Sequence, residues 1–115
     1  MDNCLFCKIE KGDIPSTKVY EDDDVIVFND IAPKAKVHLL VVPRKHITSL
    51  SHLSAEDHDL MGKIMLLLPK LAKQQKLDEG FRTIINTGKG GGQEVFHIHV
   101  HLLGNTASGK YLPFA

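Results

Sequence analysis

The chain has no tryptophan, and aromatic residues make up only 6% of its 115 positions. It has no surplus charge of either sign, because 14 Lys and Arg balance 14 Asp and Glu. A neutral chain lacks the long-range field that draws proteins to nucleic acid or to an acidic membrane. Neither is expected as a partner, and phosphate recognition has to come from local groups. Long apolar runs are missing too: stretches such as residues 64–68 fall far below the ~20 residues that span a bilayer. No basic segment followed by an apolar run opens the chain, so no secretory leader is expected and the chain reads as cytoplasmic. Cysteine is scarce. The two present, Cys4 and Cys7, exclude a disulfide framework, and in a reducing compartment their CxxC spacing points to metal or redox chemistry.

Residues 1–115 read as a single domain, since domains of ~100–150 residues are common and the chain is too short for two cores. Residues 4–11 form a short N-terminal turn or helix ending at Gly12, and Pro15 keeps it from continuing. Residues 18–21, 25–28 and 38–42 read as three strands with short turns, an antiparallel meander stopped by Pro43. Ser54 is a good N-cap for a long helix, with Asp57 closing a capping box. Leu60, Ile64, Leu67, Leu68 and Leu71 then follow at helical spacing. Pro69 is expected to bend or shorten that helix. After Gly80, residues 81–86 return as a strand, a glycine-rich loop spans 88–92, and residues 95–103 form the last strand. The order predicts an α+β domain, a mostly antiparallel sheet with one helix on a face.

Seven histidines are many for this length, and three fall in His97-Ile98-His99-Val100-His101. In a strand, alternate side chains share a face, so the three imidazoles line one side and Ile98, Val100 and Leu102 the core side. Imidazole is a nucleophile when neutral and an acid when protonated. Neighbouring imidazoles also stabilise charge on a transferring phosphoryl group. The same spacing suits zinc, so a metal hydrolase with His97, His99 and His101 as ligands is the competing reading. The glycine loop lacks the GxxxxGK[ST] pattern and is not a P-loop.

The segment Gly92-Gln93-Glu94-Val95-Phe96-His97-Ile98-His99-Val100-His101-Leu102-Leu103-Gly104 resembles the signature of the histidine triad (HIT) family. Cys4-Leu5-Phe6-Cys7-Lys8-Ile9, Gly12-Asp13-Ile14-Pro15, Val19-Tyr20-Glu21-Asp22, Asn29-Asp30-Ile31-Ala32-Pro33 and His38-Leu39-Leu40-Val41-Val42-Pro43-Arg44-Lys45-His46-Ile47 extend the resemblance in the family's order over nearly the whole chain. The Leu103-Gly104 ending is similar to the Hint branch, whose members hydrolyse adenosine phosphoramidates and aminoacyl adenylates. The resemblance implies the HIT fold: a five-stranded sheet, one long helix and a short N-terminal helix, joined across a two-fold homodimer into ten strands. It implies that His99 attacks the α-phosphorus and becomes nucleotidylated. His101 bonds the phosphate or assists the leaving amine, and His97 and His38 support His99. Asp30 holds the ribose hydroxyls, while Asn86 and Gln93 serve nucleotide binding. Phe6, Ile9, Ile14, Phe28 and Ile31 wall the purine pocket. Two departures stand out. Glu94 occupies a position that is Ser in some members, and residues 105–115 lack the tryptophan some members carry.

For the cysteine pair, the resemblance implies a structural zinc site of Cys4, Cys7, His46 and His97, with no metal needed for the chemistry. Two inert thiols are the bland alternative. A purine nucleotide-binding or partner-binding module with little turnover remains the alternative to an enzyme.

Overall fold

A computed structural model describes residues 4–104; the tail of residues 105–115 lies outside them. The apolar runs behave as their composition demands. Val25–Asn29 forms β2 and Val37–Pro43 forms β3, with Lys18–Glu21 as β1 on one side. Arg82–Ile84 is β4 and Val100–Gly104 is β5. The five strands make one sheet in the order β1-β2-β3-β5-β4, and each paired neighbour is antiparallel. Strands β2 and β3 read as unbroken apolar runs because both faces of the sheet are covered. Val25, Val27, Leu39, Val41, Val100 and Leu102 pack against the long helix α2, His58–Gln74. Ile26, Phe28, Leu40 and Val42 pack the other way, against Phe6 and Ile9 of the short helix α1, Leu5–Glu10. The α1 face carries the candidate site.

Four sequence expectations shift. The long helix does not open at Ser54. Ser54 and Asp57 do form a capping box, but they cap a single 3-10 turn, Ala55–Asp57, and α2 begins at His58. Pro69 does not end α2, which continues to Gln74. The ring lies on the exposed side, and buried Leu67, Leu68, Leu71 and Ala72 flank it and keep the helix seated. The last strand begins at Val100 and not at residue 95. The Ile98 N–H donates to the Ile47 carbonyl at 2.6 Å, beyond the end of β3, so residues 95–99 leave the ladder. The strand expected over 81–86 pairs only over Arg82–Ile84.

Among the described residues no helix is long and apolar enough to cross a membrane. Leu71 is fully buried between α2 and the sheet. Leu71→Ala is expected to cost about 2–5 kcal/mol, through lost burial and a residual cavity. A urea melt would read this directly, and an unchanged midpoint would contradict the packing described.

Candidate active site

A cavity of about 370 Å³ opens on the α1 face of the sheet. Phe6 and Ile9 from α1, with Ile14 and Phe28, give it an apolar wall, and Asp30, His38, Asn86, His99 and His101 give it polar groups. Every one of these was expected from the sequence. Ile31 also lines the cavity but is 97% exposed, so it stands at the mouth. Gln93 does not line it. Its Nε2 donates to the carbonyls of Thr48 and Val95 at 2.8 and 3.0 Å, and its Oε1 accepts the Gly88 N–H at 2.8 Å. Gln93 therefore pins the glycine loop beside the site. Ser16, Lys34 and Val95 line the cavity without having been singled out, and Glu94 joins them.

Backbone groups set the state of each histidine. His99 is 7% exposed, and its Nδ1–H donates to the His97 carbonyl at 2.7 Å. That bond fixes the tautomer and leaves the Nε2 lone pair free. Phe6 meets the His99 ring edge to face, with centroids 4.9 Å apart, and so limits its rotation. A second chain starts at the Lys34 N–H, which donates to His38 Nδ1 at 3.0 Å. An amide N–H can only donate, so His38 carries its proton on Nε2 and gives it to His101 Nδ1 at 2.9 Å. His101 in turn carries its proton on Nε2, as a donor available to a ligand. The Asp30 carboxylate lies 3.3 Å from His38 Nε2 and also accepts the Ala32 N–H. Burial pushes the His99 and His38 rings below the usual imidazole range, and the Asp30 charge partly opposes this in both. Burial, with His99 and His38 alongside, pushes His101 down to about 4. Near pH 7 the site thus holds neutral imidazoles, the state a nucleophile needs.

The first triad histidine faces elsewhere. His97 is fully buried, and its Nε2–H donates to the Pro43 carbonyl at 2.7 Å. Its Nδ1 lone pair points at Cys4 Sγ (3.3 Å), Cys7 Sγ (3.5 Å) and His46 Nδ1 (3.2 Å), and Cys7 Sγ lies 3.3 Å from His46 Nδ1. These four atoms lie within 4.8 Å of one another. Tetrahedral zinc at its usual bond lengths spaces N···N and S···N donors about 3.3–3.6 Å apart, so the four residues fit the ion. A backbone carbonyl on the far nitrogen is also the usual support for a ligating imidazole. Burial and the Cys4 side chain push the Cys7 thiol up to about 11, and a bound cation is what would draw off that proton. With both His97 nitrogens engaged this way, His97, His99 and His101 do not converge on one ion as the metal-hydrolase reading requires.

A fixed nucleophilic nitrogen, a donor 5.0 Å away between ring centres, and an apolar slot beside them suit attack on a phosphorus carrying a flat apolar group. Residues 3–112 match the family described as "Scavenger mRNA decapping enzyme C-term binding". The chain is 41% identical over 112 residues to the purine nucleoside phosphoramidase of Escherichia coli K12, covering 96% of this chain and 94% of that protein. It is 47% identical over 102 residues to a 14 kDa zinc-binding protein of Brassica juncea, covering 87% and 90%. The structure of a HIT family hydrolase from Legionella pneumophila superposes with a TM-score of 0.89 at 45% identity, over 96% of this chain and 98% of that one. With the family match over residues 3–112 and these identities, this chain belongs to the histidine triad family of hydrolases.

Proposed function

We propose that the chain hydrolyses purine nucleoside 5′-phosphoramidates, of the AMP-amine or aminoacyl-adenylate type, through a nucleotidyl intermediate on His99. The observation that carries this reading is the His99 ring, held at Nδ1 by its neighbour's carbonyl with Nε2 left free. In the first step a bond forms from Nε2 to the α-phosphorus while the phosphorus–nitrogen bond of an AMP-amine breaks. The amine departs with the proton from His101 Nε2, and the His38 Nε2–H supports the electron-rich ring meanwhile. In the second step water breaks the phosphorus–histidine bond. Its hydroxyl stays on phosphorus and its proton returns to His101. Asp30 holds the ribose hydroxyls, and Phe6, Ile9, Ile14 and Phe28 sandwich the purine. The E. coli relative named for this activity supports the substrate class.

The same reading includes one structural zinc on Cys4, Cys7, His46 and His97, supported by the donor spacing and by the relative named for zinc binding. The chemistry runs without it. Free thiols at Cys4 and Cys7 fit a reducing, cytoplasmic compartment. The reading also includes a homodimer. Among the described residues β4 is an edge strand of the sheet, Phe81 beside it is exposed, and Leu66 of α2 is 70% exposed. Such edges are commonly covered by pairing.

Mixing the protein with an adenosine phosphoramidate should release AMP. A rapid acid quench should show an intact-mass adduct of one AMP. A folded protein that gives neither would turn the reading toward a purine nucleotide-binding module.

A further inference from the structure

We propose that Cys4, Cys7 and His46 are positioning residues for the nucleotide cavity, so that zinc in the Cys/His cluster and nucleotide in the cavity tighten each other's binding. The inference rests on the zinc and nucleotide readings above.

The cluster and the cavity share two pieces of backbone. The first is α1. Cys4 caps this helix and Cys7 lies within it, while Phe6 and Ile9 on the same helix form the apolar wall. The helix has six residues, and isolated helices shorter than ~12–15 residues are marginal in water. Contacts from outside must therefore hold it. Phe6 and Ile9 supply some by burial, and the Glu10–Arg44 ion pair supplies one more at 3.2 Å. Further anchors are Cys4 to His97 and Cys7 to His46, both at 3.3 Å, and Cys7 to His97 at 3.5 Å. These are weak as thiol–imidazole contacts and strong once the four donors share a cation.

The second shared piece is His97. Its ring belongs to the cluster, and its carbonyl holds Nδ1–H of His99. A shift of His97 to suit the cluster moves the group that orients the nucleophile. Phe6 closes the loop between the two routes, since it meets both the His97 ring at 5.9 Å and the His99 ring at 4.9 Å. Drawing the cluster together thus orders the purine wall and the nucleophile at once, and a nucleotide seated on that wall orders the cluster in return. Linkage requires the two factors to be equal.

The test needs no turnover. Zinc affinity is measured by competition with a chromophoric chelator, with and without saturating AMP. AMP affinity is measured by calorimetry on zinc-loaded and zinc-depleted protein. The expected result is about a 10-fold gain in each direction, with matching factors. Phe6→Ala should collapse the factor toward one while zinc alone still binds. This arm separates coupling through α1 from a general gain in folding, which would persist in the variant. A factor near one in the wild type, or a factor that survives Phe6→Ala, overturns the inference. AMP failing to bind the zinc-loaded protein would instead overturn the nucleotide reading.

Discussion

Replacing His99 with alanine is expected to lower AMP release from an adenosine phosphoramidate about 10⁴-fold or more, the scale seen when a covalent nucleophile is removed. The size follows from the site's division of labour. His99 supplies the atom that bonds to phosphorus, and no other histidine can replace it in place. His97 has both ring nitrogens engaged outside the cavity. His101 has Nδ1 engaged by His38 and carries its proton on the remaining nitrogen. His101→Ala removes a donor and not the bonding atom, so its loss should be smaller, about 10²–10⁴-fold. The quench should separate the two variants. His99→Ala forms no adduct, whereas His101→Ala forms one slowly. The side chain removed is buried against Phe6, so a melt and an AMP titration must accompany the kinetics. Retained AMP binding with lost turnover assigns the effect to chemistry. The truncation also leaves room for a small nucleophile, and added imidazole should restore part of the AMP release. A His99→Ala protein within about 10-fold of wild type would sink the covalent mechanism.

Much of this site could be read in the residues. The alternation predicted His97, His99 and His101 on one side of the sheet; the structure brings all three rings to the α1 side around Phe6, but His97 and His99 precede β5 and His97 turns to the cysteines and away from the cavity. The apolar wall was legible through the family resemblance, with Phe6, Ile9 and Ile14 inside its short motifs and Phe28 at the end of the apolar run 25–28. What could not be read was the part played by backbone. The His97 carbonyl, the Pro43 carbonyl and the Lys34 N–H decide which nitrogen of each ring is free. No side-chain pattern records where a carbonyl points. The start of β5 was misplaced for a related reason. Residues 95–99 have the composition of a strand, but the Ile98 N–H meets Ile47 in a loop and not a neighbouring strand. Gln93 belongs to the motif, yet its amide is fully engaged with backbone. Sequence position gave its proximity to the site but could not distinguish a ligand from a brace.

The double substitution Cys4→Ser, Cys7→Ser is expected to abolish metal binding and to lower the melting temperature by about 15 °C without unfolding the domain at room temperature. Elemental analysis of untagged wild-type protein should give close to one zinc per chain, and less than about a tenth in the variant. The two thiols supply half of the donor set, and serine hydroxyls are poor replacements for thiolates on zinc. A ligand that binds only the folded state at about 1,000 times its Kd stabilises by about 4 kcal/mol. At roughly 4 °C per kcal/mol for a domain near this size, that gives the stated shift. The domain should survive because its larger core lies on the opposite face of the sheet. Leu39, Val41, Ile64, Leu71, Val100 and Leu102 pack there with α2 and form a cluster separate from that of Phe6 and Ile9. Loss should therefore concentrate in α1 and in the loop carrying His46, and hydrogen exchange should rise there first. Chelation of the wild type should reproduce the pattern, and added zinc should reverse it. Wild-type protein that purifies without zinc and does not take it up would remove the structural site from the reading. Under that outcome His99 chemistry would stand, since none of its steps passes through the metal.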